Sequence, residues 1–147
     1  MEWTKDDFLI STDKGKINIA FVHNFLSQSY WAEGIPQSIV ERSVEGSICF
    51  ALLHQEKQVG FARVITDEAT FAYLADVFLD ENYRGKGLSR WLMECILSHP
   101  KLQGLRRFLL ATRDAHGLYK KMGFEKLPSL EPWMQIHKPN IYKKKEN

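Results

Sequence analysis

A chain of 147 residues is long enough to bury one core without disulfides or metals, and no repeat or linker divides it. A hydrophobic share of 44%, a charged share of 26% and a net charge of +2 exclude a disordered chain and argue against a dedicated nucleic-acid binder. No apolar run approaches membrane-spanning length, and the polar, acidic start of the chain does not suit a signal peptide.

Residues 8–12 (Phe-Leu-Ile-Ser-Thr) predict a first strand, followed by a turn over 13–16. Ile17, Ala20, Phe21, Asn24 and Phe25 recur at helical spacing and predict a helix over 17–28. An irregular aromatic stretch follows, and Pro36 is placed to open a second helix with Ile39, Val40 and Val44 on one face. Residues 47–53 and 59–66 read as strands joined by a polar hairpin loop; Gly60 marks a bulge or a close approach of backbone. Residues 71–79 give a third sequential antiparallel strand. Leu88, Trp91, Leu92, Cys95 and Ile96 then form the apolar face of a helix that Pro100 stops. Residues 105–112 predict another strand, parallel to 71–79 because a helix crosses between them. A helix through Met122, capped by Thr112 or Asp114, ends at Gly123. Beyond it Pro128, Pro132 and Pro139 interrupt the pattern, with 133–137 read as a last strand.

The junction between strand 71–79 and its helix is Asp80-Glu81-Asn82-Tyr83-Arg84-Gly85-Lys86-Gly87. A basic loop with two glycines at a helix start suits a phosphate group. The first N–H groups of the helix lack partners within it, its dipole favours negative charge, and the glycines let the backbone bend into a nest. This is not a Walker loop, because the Gly-Lys-Ser/Thr ending and its spacer are missing. Nor is it a dinucleotide fingerprint, since Arg90 stands at the third glycine position.

A second motif lies about thirty residues on: Ala111-Thr112-Arg113-Asp114-Ala115-His116-Gly117-Leu118-Tyr119-Lys120-Lys121-Met122-Gly123-Phe124. Together the two resemble the GNAT superfamily of acetyl-CoA-dependent acyltransferases, whose motifs read Gln/Arg-x-x-Gly-x-Gly/Ala and Asn-x-x-Ala-x-x-Leu-Tyr-x-x-x-Gly-Phe. Gly85, Gly87, Ala115, Leu118, Tyr119, Gly123 and Phe124 match. Asn82 and Thr112 depart from the usual Gln/Arg and Asn. The resemblance covers about residues 47–124 and implies an α/β (α+β) fold. That fold has a mixed, mostly antiparallel sheet of about six to seven strands, about four helices and a splayed parallel strand pair. It implies a single domain over 1–147, with 125–147 completing the sheet or forming an interface.

The resemblance also implies a site. Acetyl-CoA is the cosubstrate, with no metal. Its pantetheine arm contacts the backbone of Val77, Phe78 and Leu79, with Thr112 and Ala115 opposite. Arg84, Gly85, Lys86, Gly87, Leu88 and Ser89 hold its pyrophosphate. Tyr119 matches the general acid that protonates the leaving thiolate; as an unperturbed phenol it is neutral at working pH. Asp76, in an otherwise apolar strand, reads as the general base or as a structural acceptor, with Tyr73, Glu33 and His116 as lesser candidates for the base. The acceptor side is assigned to Tyr30, Trp31, Glu33, Arg63 and Tyr73, and Arg63 either pairs with Asp76 or meets an anionic substrate.

Neither cysteine lies near a recognisable base, so direct transfer to a small-molecule primary amine in a ternary complex is expected rather than an acyl-enzyme. The alternative is a non-catalytic or weakly catalytic acyl-CoA-binding sensor. No nucleic-acid or membrane partner is expected, and a homodimer is left open. Cys49 and Cys95 sit in apolar runs without Cys-x-x-Cys spacing, which fits reduced thiols and a cytoplasmic protein. Lys143-Lys144-Lys145 reads as a solvated basic end.

Overall fold

The computed structural model describes residues 1–143; Lys144 and Lys145 of the basic tail lie outside the described residues. In chain order the elements are β1 (Glu2–Lys5), β2 (Phe8–Ser11), α1 (Ile19–Ser27), α2 (Gln37–Glu45), β3 (Ile48–His54) and β4 (Lys57–Thr66). They continue with β5 (Phe71–Leu79), α3 (Leu88–Ser98), β6 (Arg107–Leu110) and α4 (His116–Lys121). The six strands form one sheet in sequence order. Every neighbouring pair is antiparallel except β5 and β6, which run parallel across the α3 crossover.

Strand alternation sends side chains to two cores. On one face Phe50, Leu52 and Val64 pack with Leu92, Met93 and Ile96 of α3. On the other, Ala51, Phe61 and Phe78 pack with Val22 and Leu26 of α1 and Val40 of α2. Local signals set the joints. Asn18 caps α1 by accepting the Phe21 N–H at 3.1 Å, and Pro36 stands just before α2. The β3–β4 hairpin turns on Gln55 (φ 48°) and Glu56 (φ 74°), two consecutive left-handed residues as a two-residue hairpin requires.

Gly60 does both things its position suggested. Val59 is an extra residue between the Leu52–Gly60 and Leu53–Gln58 pairs, so β4 bulges there. A Cβ on Gly60 would also stand 2.7 Å from Leu79.

Besides the shortening of β6 from the expected 105–112 to Arg107–Leu110, two features differ from expectation. β1 was not expected, since Glu2-Trp3-Thr4-Lys5 carries a single apolar side chain; Trp3 alone stacks inward on Phe50. Residues 133–137 form no strand, and β6 is the edge of the sheet among the described residues. Pro132 and Pro139 remove donors on either side, the Arg107 guanidinium holds the Trp133 ring at 4.6 Å, and Met134 and Ile136 face outward.

Candidate functional site

The site begins with one residue of β5. Pairing with β4 runs from Arg63–Ala75 to Phe61–Phe78, so Asp76 and Val77 together oppose Ala62. This is a bulge, and Asp76 adopts a left-handed backbone (φ 54°), which Asp tolerates better than most side chains. On the other side of β5, pairing with β6 covers only Phe71–Arg107 to Leu74–Leu110. Beyond the bulge Val77, Phe78 and Leu79 therefore have no partner strand toward β6, and the parallel pair opens into a cleft.

The cleft points at the start of α3. Gly85 (φ 77°) and Gly87 (φ 76°) are both left-handed, and no atom lies within 4 Å of where either Cβ would be. Backbone conformation, not crowding, is what requires glycine there. Among the described residues no side chain caps α3, so its first N–H groups remain available to a ligand along with the dipole. Arg84 and Lys86 are exposed, with the Lys86 ammonium 5.3 Å from the Tyr83 ring. Leu88 is buried and anchors the helix, while Ser89 is half-buried.

Across the cleft, the Thr112 hydroxyl accepts the Ala115 N–H at 3.0 Å, which ties the β6–α4 loop to the start of α4. Tyr119 on α4 is buried, with its ring edge-on to Phe124 at 5.9 Å. Burial, and then the nearby Asp114 carboxylate, push its phenol above the ordinary tyrosine range. Tyr119, Leu110, Thr112 and Phe124 line a groove of about 950 Å³ between β6 and α4.

Each carboxylate oxygen of Asp76 accepts one hydrogen bond. One oxygen accepts the Trp31 indole N–H at 2.8 Å and the other accepts Arg63 Nε at 2.9 Å. Arg63 continues the chain by donating to Ser47 Oγ at 3.1 Å. The Arg63 and Asp76 side chains are 16% and 10% exposed, so this ion pair is largely shielded from water. The network joins the α1–α2 loop to the bulge. Tyr30 lies in the same loop, its ring edge-on to Trp31, with the Arg113 guanidinium 3.8 Å from its centroid. Glu33 is more peripheral, 3.9 Å from Lys143, and His116 is exposed at the start of α4. Tyr73 is half-buried between Ile65 of β4 and Leu109 of β6. Among the described residues no cluster of His, Cys, Asp or Glu could hold a metal ion.

The structure thus gathers Tyr30, Trp31, Arg63, Asp76 and Arg113 around the cleft mouth, with Glu33 at its rim. Sequence reasoning did not reach Arg113, Ser47 or Ile65. Arg113 and Tyr30 meet only through tertiary packing, and the Ser47 contact depends on the Arg63 rotamer, so neither had a local signal.

The model of the Acetyltransferase (GNAT) domain family matches residues 45–126. The FG08082 protein of Gibberella zeae, which its name assigns provisionally to the acetyltransferases, is 32% identical over 142 residues, covering 81% of this chain and 79% of its own. The peptidyl-lysine N-acetyltransferase YjaB of Salmonella typhimurium is 32% identical over 104 residues, covering 70% and 66%. A Xanthomonas campestris crystal structure assigned to the GNAT family superposes with a TM-score of 0.92 at 44% identity, over 96% of this chain and 100% of that one. An acetyl-CoA-bound GNAT structure from Elizabethkingia anophelis shares the fold alone, with a TM-score of 0.62 at 13% identity over 82% and 78%.

Proposed function

The chain belongs to the GNAT acetyltransferases, and we propose that it acts as one cytoplasmic domain moving an acetyl group from acetyl-CoA to the primary amine of a small molecule. Transfer is direct, within a ternary complex. The observation that carries this reading is the bulge at Asp76, which frees the β5 edge over Val77, Phe78 and Leu79 and aims it at the uncapped start of α3. The pantetheine arm lies along that free edge as an added strand, with Thr112 and Ala115 opposite. Gly85, Lys86, Gly87, Leu88 and Ser89 hold the pyrophosphate, with Arg84 adding charge.

The amine nitrogen attacks the thioester carbonyl, whose oxygen is polarised by a free N–H of β5. As the C–S bond breaks, Tyr119 gives its proton to the thiolate sulfur, and the proton released by the acylated nitrogen returns to the Tyr119 phenolate. Both oxygens of Asp76 already accept hydrogen bonds, so we assign it the positioning of Trp31 and Arg63 rather than proton removal. The amine then enters neutral, or loses its proton to solvent water. Holding both reactants in line contributes several kcal/mol, on the order of the lower effective molarities. Tyr30, Trp31, Arg63 and Tyr73, with Glu33 at the rim, frame the acceptor. The buried, unpaired thiols of Cys49 and Cys95 support the compartment.

Calorimetric titration with acetyl-CoA, CoA and ATP is the test, followed by thiol release with an amine panel. Micromolar binding of both CoA species without ATP is expected, and silence toward acetyl-CoA overturns the reading. The engaged state of Asp76 also favours a second reading, an acyl-CoA sensor without turnover. Tight acetyl-CoA binding with no thiol released by any amine would select it.

A further inference from the structure

We infer that the acceptor is an α-amino acid with a large apolar side chain, its carboxylate met by Arg113 and its side chain laid on an open floor of the sheet. This rests on the acetyl-transfer reading above. In the step, the α-amine nitrogen forms a bond to the acetyl carbon, the thioester C–S bond breaks, and one amine proton ends on the CoA sulfur.

The floor is set by strand register. Ile65, Tyr73 and Leu109 are direct neighbours across β4, β5 and β6, on the same sheet face as Cys49 and Arg63. That face is covered by α1 and α2 farther up, around Phe61 and Phe78, and by Trp133 against Arg107, two residues before Leu109. Ile65, Tyr73 and Leu109 belong to neither core, and Ile65 is 42% exposed in the middle of a strand. An exposed β-branched side chain flanked by an aromatic and a leucine is an apolar surface that packing within the fold leaves unused. Tyr73 lies three residues before the Asp76 bulge, which is roughly 10 Å at strand rise. The Tyr73 ring projecting from the strand and a large side chain on the acceptor together span that distance.

Charge at the mouth selects the rest of the molecule. Asp76 is held by Arg63 and Trp31, Glu33 lies 3.9 Å from Lys143, and Asp114 stands exposed beside Arg113. The Arg113 guanidinium lies over the Tyr30 ring, 3.8 Å from its centroid, and among the described residues it makes no ion pair. A stacked guanidinium keeps its in-plane N–H donors free for a carboxylate, and the stacking fixes its direction. A polyamine would bring its second cation against the Arg113 guanidinium. An amino-acid carboxylate, one carbon from the amine, meets Arg113 where the amine faces the bulge.

The experiment measures acetyl-CoA-dependent thiol release with leucine, methionine and phenylalanine, with their amides, with spermidine and with Nα-acetyl-lysine. Expected is a kcat/KM at least tenfold higher for the free acids than for the amides, with spermidine and Nα-acetyl-lysine poorest. Arg113→Gln should bring acid and amide to the same value. Ile65→Lys should raise KM for leucine at least fivefold while the KM for acetyl-CoA stays put. Equal rates for acid and amide in the parent protein overturn the inference, as does preference for spermidine, or no turnover of any amino acid while acetyl-CoA binds. Failure of acetyl-CoA itself to bind in calorimetry is a different result, and it sinks the transfer reading beneath.

Discussion

Asp76 concentrates the local physics of the site. Its left-handed backbone costs on the order of 1–2 kcal/mol, and persists because the side chain holds Trp31 and Arg63 at once. Asp76→Asn keeps an acceptor for the indole but strips the counter-charge from a shielded guanidinium. We expect a loss of about 3 kcal/mol in urea unfolding, with the m-value unchanged. An unaltered midpoint would mean that Arg63 finds solvent instead. Tyr119→Phe makes the opposite kind of change, removing one oxygen from a buried ring while keeping its packing on Phe124. In the proposed reaction it should cut kcat by 10²-fold or more and leave acetyl-CoA affinity within about twofold. The phenol must be protonated to act, and burial raises its pKa, so it stays a donor to above pH 10. The parent enzyme's alkaline loss of kcat should therefore have its midpoint above the ordinary tyrosine value; a midpoint near pH 8 would place the titrating group elsewhere. The sequence exposed Tyr119 through its motif and Asp76 through its odd place in an apolar strand. It could not show that both carboxylate oxygens are occupied, because Trp31 is 45 residues away and their bond exists only after packing.

At the level of elements, the strands that bury both faces were readable as continuous apolar runs. Strand β5 has the predicted limits, and β3 and β4 shift by a residue or two at their ends. What escaped was held by few side chains or by none. Strand β1 pairs through its backbone with β2 and contributes only Trp3 to the core, so period-two alternation had too little to show. Strand β6 is shorter than the predicted 105–112, because parallel pairing stops at Leu74–Leu110 where β5 begins to bulge. The bulge itself had no marker residue; Asp76 takes the left-handed backbone that a glycine would have advertised. Gly60 did advertise its role. Adding a methyl there drives a Cβ to 2.7 Å from Leu79 and 3.1 Å from Leu52, side chains locked in the sheet beside the proposed cosubstrate edge. Gly60→Ala should destabilise by about 1–3 kcal/mol and also weaken acetyl-CoA binding by displacing Leu79. A stability loss with binding intact would separate the core of β4 from the cleft.

Over the whole molecule, two cores back the same sheet, and the cleft lies where that sheet is least complete. Rigid packing ends at Phe78 and Leu79 on one side and at Leu110 on the other, leaving backbone donors and a helix start with no partner among the described residues. A ligand that fills this gap joins β5 to the β6–α4 loop and α3, so its binding energy acts on global unfolding rather than on one loop. At a hundredfold excess over its dissociation constant, such a ligand adds about 2.7 kcal/mol to stability. For a domain of this length, that corresponds to a rise in Tm of roughly 5–10 °C. Acetyl-CoA and CoA should both produce the shift in scanning fluorimetry, since in the proposed site the glycine loop and β5 edge contact the part they share. Arg84→Glu combined with Lys86→Glu should shrink it by more than half without lowering the Tm of the free protein, because both side chains are exposed and bury nothing. A full shift in the double variant would move the phosphate contacts onto the α3 backbone alone, and a shift with ATP equal to that with CoA would strip the free β5 edge of its part in recognition.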